Sequence, residues 1–110
     1  MNIEEIVYQK LLEKKYKVVT AESCTGGLIA DKIINVPGAS SIIDMSFVTY
    51  SNEAKCELVN VNPKTINEYG VVSEEVAKEM AIGAAKRAAN IRRPWKKSVQ
   101  QTALKPPSKV

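Results

Sequence analysis

Histidine is absent from this chain of 110 residues. Its absence rules out a Ser-His-Asp triad or a Cys-His pair built from this chain alone. Cysteine is scarce, with only Cys24 and Cys56. Two cysteines without histidine cannot supply the four ligands of a structural zinc site, and they are too few for a disulfide framework. Both are expected to be reduced thiols of a cytoplasmic protein. No apolar run approaches the ~20 residues of a membrane-spanning helix. The opening "MNIEEIVYQK" has acids where a signal peptide would have basic residues, so no secretion is expected.

What remains is an ordinary soluble composition, 45% hydrophobic and 25% charged, sufficient for one domain with one core. The net charge of +4 conceals an uneven distribution. Residues 1–91 carry ten Lys/Arg against twelve Asp/Glu, a balance of −2, whereas residues 92–110 carry six Lys/Arg and no acid. The basic character belongs to the tail. In it, Trp95 beside Arg93, Lys96 and Lys97 offers a base-stacking platform for nucleic acid. An unstructured, solvated tail is the simpler reading and is preferred, so no nucleic-acid partner is expected.

Along the body, Ile3, Ile6, Val7 and Leu11 recur at helical spacing, predicting an amphipathic helix over 3–15. "YKVVTA" (16–21) is β-branched and predicts a strand. Residues 27–36 return to helical spacing and stop at "VPG". "SIIDMSFVTY" (41–50) predicts a second strand, apolar enough to be covered on both faces. Residues 51–60 read as a short helix capped by Ser51 or Asn52. Asn62-Pro63 starts another helix, which Gly70 ends. From Ser73 to about Ala89, Val76, Ala77, Met80, Ala81, Ala84 and Ala88 keep one face small and apolar, as close packing requires. Alternating helices and strands predict an α/β layered domain with a partly parallel sheet.

The stretch "TAESCTGG" (20–27) joins the first strand to a helix. Ligands bind at the carboxyl ends of strands in open α/β sheets, and helix N-termini hold phosphates or oxyanions. Gly26 and Gly27 allow close backbone approach, and Thr25 adds a hydroxyl. The turn can therefore be a phosphate cradle, the seat of the nucleophile Ser23, or a capping turn. "TYSNEAK" (49–55) brings Tyr50, Asn52, Glu53 and Lys55 to the same sheet edge if the strands are parallel. Without histidine, a lysine is the natural base for a serine, as in Ser-Lys variants of the triad. A free lysine titrates near ~10.4, so burial or a nearby cation must make it neutral. The bland alternative is a solvated helix lysine. Cys24 is a rival nucleophile, but adjacent residues point apart, and it reads better as a small buried hydrophobe. Cys56 reads as core. Glu22 either orients a base, binds a ligand hydroxyl, or is an exposed strand-end acid.

"TAESCTGGLIADKIINVPGAS", "VTYSNEAK" and "YGVVSEEVAKEMAIGA", in this order, closely resemble the C-terminal domain of the CinA (competence/damage-inducible) family, over about residues 2–91. The resemblance implies a three-layer α/β/α sandwich. It implies a nicotinamide mononucleotide amidohydrolase that yields nicotinate mononucleotide and ammonia, with no metal and no cofactor, in a homodimer. It also implies Ser23 as nucleophile and Lys55 as base, with Glu22, Thr25, Gly26, Gly27, Tyr50 and Asn52 lining the substrate site. Family members continue past the alanine-rich helix with further strands and helices, including a Thr-Gly-Ile-Ala-Gly-Pro type loop and an arginine that contribute to the site. "NIRRPWKKSVQQTALKPPSKV" does not resemble that continuation. The expectation is a partial sandwich over 1–91, a family-unlike basic tail over 92–110 that is disordered or irregular, and a truncation or frameshift near Ile91. The alternative function is a non-catalytic domain that binds a nucleotide phosphate or only self-associates.

Overall fold

The computed structural model describes the backbone of residues 1–99 and the side chains of residues 1–92. Helix α1 spans Ile3–Lys14. Asn2 caps it in a reciprocal capping box, its side chain accepting from the Glu5 N–H and Glu5 accepting from the Asn2 N–H. Strand β1 spans Val18–Glu22, and helix α2 spans Leu28–Ile34. A 3₁₀ turn at Ala39–Ser41 leads into strand β2, Ile43–Val48. Helix α3 spans Asn52–Val59 and is capped by Ser51, whose hydroxyl accepts from the Ala54 N–H. Helix α4, Pro63–Tyr69, has the expected Asn62 cap and ends at Gly70. Helix α5 spans Glu74–Val99, and the Ser73 hydroxyl accepts from the Val76 N–H at its start. Among the described residues no helix is long and apolar enough to cross a membrane.

The two strands run parallel, Val19 opposite Met45, Ala21 opposite Phe47 and Glu22 opposite Val48. Alternation along β1 then sorts its side chains onto two faces. Val19 and Ala21 join a core of Val59, Val61, Val76, Met80, Ala84 and Ala88, with Met45, Phe47 and Ile66 packed against it. That face is covered by α3, α4 and α5. Val76, Met80, Ala84 and Ala88 of the α5 stripe therefore pack as its composition predicts, whereas Ala77 is exposed and Ala81 half-buried. Gly83 shows how close the approach is: a Cβ there would lie 1.6 Å from the Val59 carbonyl oxygen. Glu79 of α5 ties down α4, accepting from the Asn62 N–H at 2.8 Å and the Thr65 hydroxyl at 2.6 Å.

The opposite face is covered by α2, against which α1 packs, and neither helix contains a fully buried residue. The predicted apolar stripe of α1 is only partly used, with Ile3 71% exposed. Strand β2 also departs from expectation. It is half-buried and its end is open, with Val48 49% exposed.

Helix α5 runs past its expected end near Ala89, to Val99. Arg92 donates from Nε to Asp44 Oδ1 at 2.6 Å, which fastens the helix to β2, and no glycine follows Gly83 before Val99 to stop it. The Trp95, Arg93, Lys96 and Lys97 side chains and all of residues 100–110 lie outside the described residues.

Candidate functional site

Strand β1 ends at Glu22 and the chain turns at once, leaving Ser23 at the carboxyl edge of the sheet. Strand β2 ends beside it, pinned by the Thr49 N–H donating to the Glu22 carbonyl at 2.8 Å. Ser51 then starts α3, which aims Lys55 back along the sheet edge. Lys55 Nζ lies 3.1 Å from Ser23 Oγ and 3.3 Å from the Tyr50 carbonyl oxygen, donating to both. Lys55 is 3% exposed, so the solvated alternative is excluded. Among the described residues no carboxylate pairs with it. A serine hydroxyl and a buried amine in direct contact are the components of a Ser-Lys nucleophile.

The pair lies in a cleft of about 420 Å³, within the size range of small-molecule sites. Cys24, Tyr50 and Asn52 line one side. Val71, Val72, Ser73, Ala77 and Met80 line the other, from the α4–α5 connection and the first turns of α5. That second wall was not anticipated. The signal was present in Val71-Val72, two apolar residues placed between a helix stop and a helix cap. Cys24 is exposed and lines the same cleft as Ser23, because a turn, not a strand, separates them, so it is not the buried hydrophobe expected. Cys56 is half-buried in α3 and lines a smaller cleft of about 350 Å³ with Glu53, Glu57 and Pro63. Among the described residues, no three His, Cys, Asp or Glu side chains gather in a metal-binding group.

Four of the expected site residues, Ser23, Lys55, Tyr50 and Asn52, thus meet in the cleft. Glu22, Thr25, Gly26 and Gly27 do not line it. Glu22 is 3% exposed, not a solvated strand-end acid, and it points to the α2 side. Its Oε1 accepts from Thr25 Oγ1 at 2.7 Å and the Ile29 N–H at 2.9 Å, and Oε2 accepts from the Ala30 N–H at 3.0 Å. Burial pushes this carboxyl up, but the hydrogen bonds from Thr25, Ile29, Ala30 and Gly27 together outweigh it and hold the group below the ordinary carboxylate value. The amides expected to cradle a phosphate or oxyanion are therefore occupied. The Gly26 N–H donates to the Ser23 carbonyl, the Leu28 N–H to the Thr25 carbonyl, and the next two amides to Glu22. Gly26 (φ 63°) and Gly27 (φ 104°) serve the turn's left-handed backbone rather than a ligand's approach.

The family model of the CinA C-terminal domain matches residues 1–91. The chain belongs to the CinA family. It is 52% identical over 88 residues to a competence-damage inducible protein of Alkaliphilus metalliredigens, covering 80% of this chain and 21% of that protein. A namesake from Clostridium beijerinckii is 57% identical over 88 residues, again 80% of this chain and 22% of the relative. Among solved structures, the CinA superfamily protein of Escherichia coli superposes with a TM-score of 0.78 at 35% identity, covering 80% of this chain and 51% of that one. A competence/damage-inducible protein of Agrobacterium tumefaciens gives 0.74 at 39% identity, covering 76% and 51%. The chain thus spans about half the length of these CinA structures and about a fifth of the curated relatives.

Proposed function

We propose that this CinA domain is a nicotinamide mononucleotide amidohydrolase, with Ser23 as nucleophile and Lys55 as general base. The observation that carries the reading is the 3.1 Å contact between Lys55 Nζ and Ser23 Oγ at the buried end of an open cleft. As general base, Lys55 takes the hydroxyl proton as Ser23 Oγ bonds to the carboxamide carbon. The C–N bond then breaks, and the proton passes from Lys55 to the departing nitrogen, which leaves as ammonia. Water attacks the resulting ester, again giving its proton to Lys55, and nicotinate mononucleotide leaves as Ser23 recovers its proton. Tyr50 and Asn52 line the cleft beside this pair and would contact the substrate. Homodimer formation and a cytoplasmic location belong to the same reading.

Ammonia release from nicotinamide mononucleotide tests it. Ser23→Ala and Lys55→Met are each expected to lower kcat by at least ~10³-fold, and the double variant is expected to lose little more, because the two act as one unit. Turnover that survives Ser23→Ala, or no turnover in the folded wild type, overturns the reading.

A further inference from the structure

Glu22 precedes the proposed nucleophile by one residue yet faces the other way. Its carboxylate is buried and meets no cation among its hydrogen-bond partners. It is held by a hydroxyl and the first amides of α2, where the helix dipole favours a negative charge. Its main chain is equally constrained, since its carbonyl accepts from the Thr49 N–H of the neighbouring strand end. The turn that presents Ser23 is therefore fixed at both ends. Before Ser23, the Glu22 backbone is tied to β2. After it, Thr25 and the start of α2 are tied to the Glu22 side chain.

We infer that Glu22 is a positioning residue, a built-in anion that occupies the start of α2 and thereby holds Ser23 Oγ against Lys55 Nζ. The inference rests on Ser23 being the nucleophile. A substrate phosphate gains nothing from this helix end while Glu22 fills it. Removing the side chain leaves a carboxylate-shaped vacancy lined by N–H and O–H donors, which a small carboxylate can refill.

The test is Glu22→Ala in the full chain, with and without added formate, and with chloride as control. Two readouts keep the inference separate from the proposed activity. The first is phosphonylation of Ser23 by a fluorophosphonate, in which an O–P bond forms, fluoride leaves and the serine proton is taken up. The second is kinetics with nicotinamide mononucleotide. Displacing the nucleophile by about an ångström is expected to slow labelling and lower kcat on the order of 10²-fold, with KM within about twofold. Formate, but not chloride, is expected to restore roughly a tenth or more of the loss, which a purely structural lesion would not permit. An unchanged labelling rate, or a loss that formate leaves untouched, overturns the inference. So does a rise in KM at constant kcat, which would return Glu22 to the substrate. If Glu22→Ala does not fold, Thr25→Val removes one donor to the carboxylate, and an unaltered labelling rate there overturns the inference as well. Labelling of Ser23 that depends on Glu22 without ammonia release defeats the proposed activity but not this inference. Ammonia release indifferent to Glu22 does the reverse. No labelling and no turnover in the wild type defeat both.

Discussion

The two faces of the β1–β2 ribbon are organised on different principles. The face under α3, α4 and α5 is apolar and close-packed, with Val59, Val76, Ala84 and Ala88 at most 1% exposed. The face under α1 and α2 has no buried helix residue, and its fixed point is a carboxylate held by directed hydrogen bonds. Consecutive residues serve the two arrangements, Glu22 at the end of β1 on the hydrogen-bonded side and Ser23 in the turn on the side of the cleft. Apolar packing buries the Lys55 end of the cleft, whereas directional bonds fix the turn that carries the serine. Packing is tolerant of chemistry and intolerant of volume. Hydrogen bonding has the opposite sensitivity.

The largest effect should come from adding volume where the close-packed face has least room. Gly83→Ala would place a Cβ 1.6 Å from the Val59 oxygen and 2.6 Å from its carbonyl carbon. Neither neighbour is a side chain that can rotate away, so α5 must lift off α3. The expected cost is about 3 kcal/mol or more, measured by urea denaturation. Because Lys55 sits on α3 and Ala77 and Met80 on α5, the same displacement should widen the cleft and lower activity. A loss under about 1 kcal/mol would show that this face is not close-packed.

A matched pair of truncations compares the faces directly. Val76→Ala removes buried methyl groups from the α5 core and should cost about 2 kcal/mol. Ile34→Ala, on α2 and 57% exposed, removes more carbon yet should change stability by less than about 0.5 kcal/mol. Equal losses would contradict the contrast, and a large loss at Ile34 would mean that another surface covers α2 in solution.

This asymmetry also governs how much the sequence conveys. The elements were legible because their caps and stops are local: Ser51, Asn62-Pro63 and Gly70 act where their residue types predict. The Ser23–Lys55 pair was legible because parallel strands bring successive strand ends together, and the lack of histidine left lysine as the base. Glu22 was misread because type and neighbourhood do not reveal direction. Only strict alternation from Val19 and Ala21, which places Ser23 with them and Glu22 opposite, carried that information. Gly83 was overlooked inside an alanine stripe, although a glycine in a helix interior signals close backbone approach when a packed face surrounds it. The loose cover of α1 was not legible either, because its apolar spacing is that of a buried helix and burial depends on what lies opposite.

The smallest effect concerns acid, and it distinguishes the one carboxylate from another held in a similar way. Both Glu22 and Glu79 lie below the ordinary carboxylate value in the folded chain. For Glu22, hydrogen bonds overcome the opposing effect of burial; for Glu79, the Thr65 hydroxyl and the Asn62 N–H do so with little burial to oppose them. A depressed folded value means that the unfolded chain binds the proton first. The stabilisation is therefore complete above about pH 4.3, the value of a free glutamate, and is lost as pH falls through the lower folded value. Glutamine cannot titrate, so Glu22→Gln and Glu79→Gln should each flatten the fall in urea midpoint between about pH 5 and pH 3. They should differ at neutral pH. The glutamine amide at position 22 sets a donor against the Ala30 N–H inside a closed pocket, so the variant should be less stable throughout. At the partly exposed position 79 water can take up the lost bonds, so the loss at neutral pH should be smaller. Identical neutral-pH stabilities for the two variants would show that the α2 face depends on its internal anion no more than an ordinary surface cap does.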